Sequence, residues 1–143
     1  MKANDVKTWV KYAMNDCIVI ESLIAHIPNT RERPHEQIVY HSQQAAEKML
    51  KAFLLQHGMV GWGHNLNTLR LECEKLDADF SAKRITDHCA VLTSLNEARY
   101  PDFVATPVDS KNADRAYNSA KRIYDFISVK LGLGKHFFPD DTK

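Results

Sequence analysis

The sequence predicts an all-α protein, an up-and-down bundle of four to five helices. Apolar residues recur at three- and four-residue steps through several long segments. No segment of useful length alternates apolar and polar residues with the period of two that a half-buried strand requires. The five glycines and five prolines lie mostly between the periodic segments.

The first helix is expected from about Asp5 to Ile27. Val6, Trp9, Val10, Ala13, Cys17, Ile20, Ile24 and Ile27 form one stripe, with Lys7, Lys11, Asn15 and Glu21 turned away from it. Asn4 is the expected N-cap, because its side-chain oxygen can accept from an orphan amide of the first turn. Pro28-Asn29-Thr30 ends the segment. The second helix is expected from Pro34, a residue suited to the first helical position, to His57, with Gly58 as the left-handed C-terminal cap. Its broad apolar set (Ile38, Ala45, Ala46, Met49, Leu50, Phe53) predicts the central helix of the bundle. A third, from about Leu66 to Leu76, has Asn65 as its cap, and a fourth runs from about Ser81 to Ala98. Residues 99–109 carry Pro101 and Pro107 and read as a loop. The fifth spans Ser110 to Leu131 on an alanine-rich stripe.

A chain of 143 residues favours one domain, assigned to residues 1–131, with residues 132–143 expected to be a disordered polar tail. Lysine and arginine total 19 against 18 acidic residues, so no global charge draws the chain to nucleic acid or an anionic surface. Cys17, Cys73 and Cys89 are far apart and form no CxxC, which suits a reducing compartment. Met1–Asp5 does not read as a secretory signal, and no apolar run approaches the ~20 residues of a membrane span, so the expected location is the cytoplasm.

The most informative polar set lies on the second helix. His41, Gln44, Lys48 and Lys51 recur at helical spacing and should share one face. An imidazole, an amide and two ammonium groups suit a phosphate or a base edge. The alternative is an ordinary solvated face, with Glu47 and Lys51 as a surface pair four residues apart. Arg99 and Tyr100 form a second set, a guanidinium for phosphate and a ring for stacking. The favoured reading of this pair by itself is a helix stop, since Pro101 disfavours helix at Tyr100. The seven histidines show no HExxH and no Cys/His cluster, so neither a metal nor another cofactor is expected. Walker and GxGxxG loops and the GxSxG nucleophile motif are absent from the sequence.

These pieces together resemble the HEPN domain (higher eukaryotes and prokaryotes nucleotide-binding). The resemblance is carried by Trp9 and Ala13-Met14-Asn15-Asp16, and by the run from His41 to Leu55 with its QQAAEK core. His64-Asn65-Leu66, Ala98-Arg99-Tyr100-Pro101 and the alanine-rich fifth helix complete it, over about residues 5–131. It implies a homodimeric helical bundle, often encoded beside a nucleotidyltransferase, that binds nucleotide or RNA. Other branches are metal-independent ribonucleases, often toxins, with an Arg-x(4–6)-His motif. Here Arg84 and His88, like Arg31 and His35, have only three residues between them. One residue fewer is a rotation of about 100°, expected to turn the pair from a shared face. The favoured reading is therefore a non-catalytic module that binds a nucleotide or a partner nucleotidyltransferase through His41, Gln44, Lys48, Lys51, Arg99 and Tyr100. The alternatives are a ribonuclease of toxin–antitoxin type and a structural adaptor that dimerises through Tyr12, Tyr40 and Phe126.

Overall fold

Short polar side chains start three of the helices by accepting amides that have no partner inside the first turn. The computed structural model describes residues 5–98, 108–133 and 138. Among these residues are five α-helices and no strand: α1 (Val6–His26), α2 (His35–Gln56), α3 (Leu66–Leu76), α4 (Lys83–Ala98) and α5 (Ser110–Lys130). Asp5 caps α1 by accepting from the Lys7 amide at 2.9 Å. The cap thus falls one residue later than the expected Asn4, because the Asp5 carboxylate already takes that amide. Asn65 caps α3 as expected, accepting from Thr68 at 2.9 Å, and Asp109 caps α5 through the Asn112 amide at 2.9 Å.

Two other boundaries differ from the expectation. Pro34 occupies the cap position of α2 rather than its first turn. It has no N–H to place, so either position costs it nothing. The expected start of α4 at Ser81 is instead the end of a 3-10 turn, Ala78–Ser81, and α4 begins at Lys83. Asp77 starts that turn by accepting from the Asp79 amide at 2.9 Å, and the turn drives Phe80 into the interior, where it is fully buried. Gly58 closes α2 at φ +77°, a conformation that side chains avoid. Its amide reaches Leu55 O, and the Met59 amide reaches Leu54 O, each at 2.9 Å.

Helix α2 is central and packs against α1, α3, α4 and α5. Val39, Ala46, Met49, Leu50, Phe53 and Leu54 supply its part of the core. Alanines facing the neighbours, Ala45 and Ala46 on α2 with Ala113, Ala116 and Ala120 on α5, are all buried. Small residues at these positions let the helix axes approach closely. Phe53 lies 4.6 Å from Phe80, ring centre to ring centre, and Phe80 meets Phe126 edge-on at 5.1 Å. Burying each such ring contributes roughly 1.5–3 kcal/mol.

Phe126, one of the aromatic residues read as free for an interface, is only partly exposed. Phe80, Arg84 and Lys130 already cover it. Helices α1 and α2 run antiparallel, since Trp9 meets Lys51 and Asp16 meets His41. Helices α4 and α5 do the same, with Arg84 at Phe126 and His88 at Ser119. Within the stretch read as a polar tail, Phe138 is described. Its ring packs on Tyr117 and Tyr124, and its amide donates to Asp125 at 3.0 Å.

Candidate functional site on the α1–α2 face

The stripe on α2 is real as geometry, and two acidic residues organise it. Asp16, on α1, is buried at 8% side-chain exposure. Its Oδ1 lies 2.7 Å from His41 Nδ1, and its Oδ2 accepts from Lys48 Nζ at 2.6 Å. A carboxylate can only accept, so His41 Nδ1 carries a proton and donates it to Asp16. His41 and Lys48 thus share one side of α2, held by a single anion from the next helix.

Glu47 repeats the arrangement about a quarter of a turn round α2. At 5% side-chain exposure it is not part of a solvated face. Its Oε2 accepts from Lys51 Nζ at 3.0 Å and lies 2.8 Å from His64 Nδ1. Gln43 fixes the same loop by donating Nε2 to His64 O at 3.2 Å. Lys51 also stands over the Trp9 ring, 5.8 Å from its centre. An ammonium over an indole face is attracted by the ring quadrupole.

Of the expected site residues, His41 and Lys48 meet at Asp16, and Lys51 meets Glu47. Gln44 is half-buried beside them on α2. Arg99 and Tyr100 lie outside the described residues. The reading by sequence missed Asp16, Glu47, Gln43 and His64 as site residues. Asp16 carried a usable signal: it falls between Ala13 and Ile20 on the buried stripe of α1. A carboxylate there is costly unless a cation meets it.

A second polar cluster lies between α4 and α5. Arg84 stands over Phe126 at 5.4 Å, and His88 Nδ1 lies 2.9 Å from Ser119 Oγ. Both side chains face α5, contrary to the expectation that their spacing turns them apart. Residues four apart on a helix differ by only about 40° in direction. Burial pushes the His88 pKa down, and the nearby Arg122 and Arg84 guanidinium groups add to this against the opposing Asp87. Its imidazole is held neutral.

The cysteines offer no nucleophile. Burial, with Asp16 and Glu21 nearby, pushes the Cys17 thiol up to about 12, and burial does the same to Cys73 and Cys89. Such thiols pack as small apolar groups. Among the described residues no three His, Cys, Asp or Glu side chains gather as a metal site. No helix described is long and apolar enough to cross a membrane.

The HEPN domain family model matches residues 6–130, which is nearly the whole helical bundle. The chain belongs to the HEPN domain family, a superfamily of nucleotide-binding and ribonuclease-like domains. Neither the curated proteins nor the solved structures include a match to it.

Proposed function

We propose that this chain is a non-catalytic HEPN module that binds a nucleotide, or docks a partner nucleotidyltransferase, through the α1–α2 face. The observation that carries the reading is the buried Asp16 carboxylate holding both His41 and Lys48. An ammonium has three donors, and Asp16 takes one from Lys48. The remainder are available at a side chain that keeps 22% of its surface in water. Lys51 is organised likewise by Glu47. A phosphate oxygen arriving here meets cations already placed, so less is lost in ordering flexible side chains. His41 Nε2 and the Gln44 amide supply further hydrogen-bonding groups for a base or sugar. The homodimer common in the family is part of the reading, with exposed Tyr12 as one aromatic residue that can join an interface.

Calorimetric titration of ATP into the wild type and Lys48→Ala tests this. The expected result is measurable heat with the wild type and an affinity about tenfold weaker in the variant, the scale of one charge-assisted hydrogen bond. Equal affinities would remove this surface from the reading.

One observation favours a second reading, a metal-independent ribonuclease. Arg84 and His88 share the α5-facing side of α4, and a neutral imidazole beside guanidinium groups is a competent general base for a 2′-hydroxyl. Cleavage of RNA in the presence of a chelator, lost in His88→Ala, would establish it in place of the non-catalytic reading.

A further inference from the structure

We propose that Trp62 is a stacking platform for a nucleobase whose phosphate is held by Lys48 and Lys51, an inference that rests on the nucleotide reading of the α1–α2 face. Trp62 is 80% exposed, the most exposed of the large hydrophobic residues described. An indole in water forgoes one of the largest hydrophobic gains a side chain can make. The loop that carries it is fixed on both sides.

On one side, Gly61 presses its backbone onto α2 and α3. A Cβ there would lie 2.9 Å from Lys51 Cγ and 3.1 Å from both Leu54 Cδ1 and Leu69 Cδ2. Only glycine lets the chain approach so closely. On the other side, the His64 carbonyl accepts from Gln43 and the His64 ring meets Glu47. The anchors Gln43, Glu47 and Lys51 form one row at four-residue spacing on α2, beside Lys48.

The loop therefore presents an exposed ring from a backbone anchored at the cationic end of the site. With the backbone on either side anchored, only the side-chain torsions of Trp62 need be ordered on stacking, which lowers the cost of binding. The charge pattern selects the occupant: an uncharged aromatic ring for the indole, carrying an anionic group for the two lysines. A nucleotide, or one base of a single-stranded RNA, has both. Met59 and Val60, exposed just before this loop, make a protein partner the competing occupant, and the test separates the two.

The test compares ATP with inorganic tripolyphosphate on the full chain, read by calorimetry and tryptophan fluorescence. Trp62 is exposed, so Trp62→Ala and Trp62→Phe should fold as the wild type does, checked by circular dichroism. ATP should quench the wild-type emission, and the part of that quenching lost in Trp62→Ala is the stacking signal, since Trp9 beside Lys51 also reports phosphate binding. Trp62→Ala should bind ATP roughly tenfold more weakly, the scale of one base–aromatic stack, with Trp62→Phe recovering most of the loss. Tripolyphosphate affinity should not change in either variant. Equal ATP affinity in wild type and Trp62→Ala overturns the stacking proposal and leaves the nucleotide reading intact. No binding of either ligand to the wild type overturns both. A wild-type dimer that becomes monomeric in Trp62→Ala, with ATP affinity unchanged, assigns the ring to self-association and also overturns the proposal.

Discussion

The α1–α2 face and the α4–α5 face each place a histidine against a neighbouring helix, yet they treat it in opposite ways. On the first, His41 shares a buried carboxylate with Lys48, so cations stand at the rim and anions lie beneath. On the second, His88 faces a hydroxyl, and the charges around it are mostly guanidinium groups. The first arrangement places cations for an arriving anion. The second keeps an imidazole neutral. The same residue type is thus set for different work by what the adjoining helix offers it, and residue spacing within one helix does not reveal which.

The largest test of this contrast removes the anion beneath the first face. Asp16→Ala should destabilise the fold by about 2 kcal/mol, less than a fully buried pair because Lys48 and His41 can turn to water. Urea unfolding measures it, and a loss below a few tenths would mean that the carboxylate organises nothing. Next in size is the affinity change: Lys48→Ala should weaken ATP binding about tenfold, while Arg84→Ala should leave it unaltered. A variant pair with the opposite pattern would move the binding surface to α4–α5.

Gly61→Ala should cost about 1 kcal/mol, as the added methyl group displaces Lys51 and two leucine side chains. The thermal midpoint shows this, and no shift would indicate that the loop is not pressed on α2. The smallest effect concerns pH. The folded pKa of His88 lies below its ordinary value of 6.5, so the unfolded chain binds this proton first. Stability from the neutral ring is present above pH 6.5 and is lost as pH falls through that value towards the folded pKa. His88→Gln should therefore flatten the acid limb of the stability–pH profile relative to the wild type. An unchanged slope would show that the ring is not held neutral by burial.

The helices were legible from the chain because their signals are local. Asn65 and Gly58 act as caps where expected, through bonds that span only a few residues. The 3-10 turn at Ala78–Ser81 escaped notice because Phe80 belongs to no helical stripe; only its contacts with Phe53 and Phe126 explain its burial. The site was half legible. His41 and Lys48 announce a shared face by spacing alone, whereas their counter-ion did not, since Asp16 lies 25 residues before His41. For Arg84 and His88 the spacing was misjudged: four residues bring two side chains together on a helix rather than apart.

From its sequence alone, the protein's all-α class, its helix order, the central place of α2 and the spacing that sets His41 and Lys48 on one side of it were determined, because periodicity and capping act within a few turns of one helix. Tertiary structure decided which of those polar groups are paired, which are buried and which face a neighbour. That follows from how helices meet: Asp16 becomes the partner of Lys48, and Gly61 comes against Lys51, only when segments far apart in the chain are packed side by side.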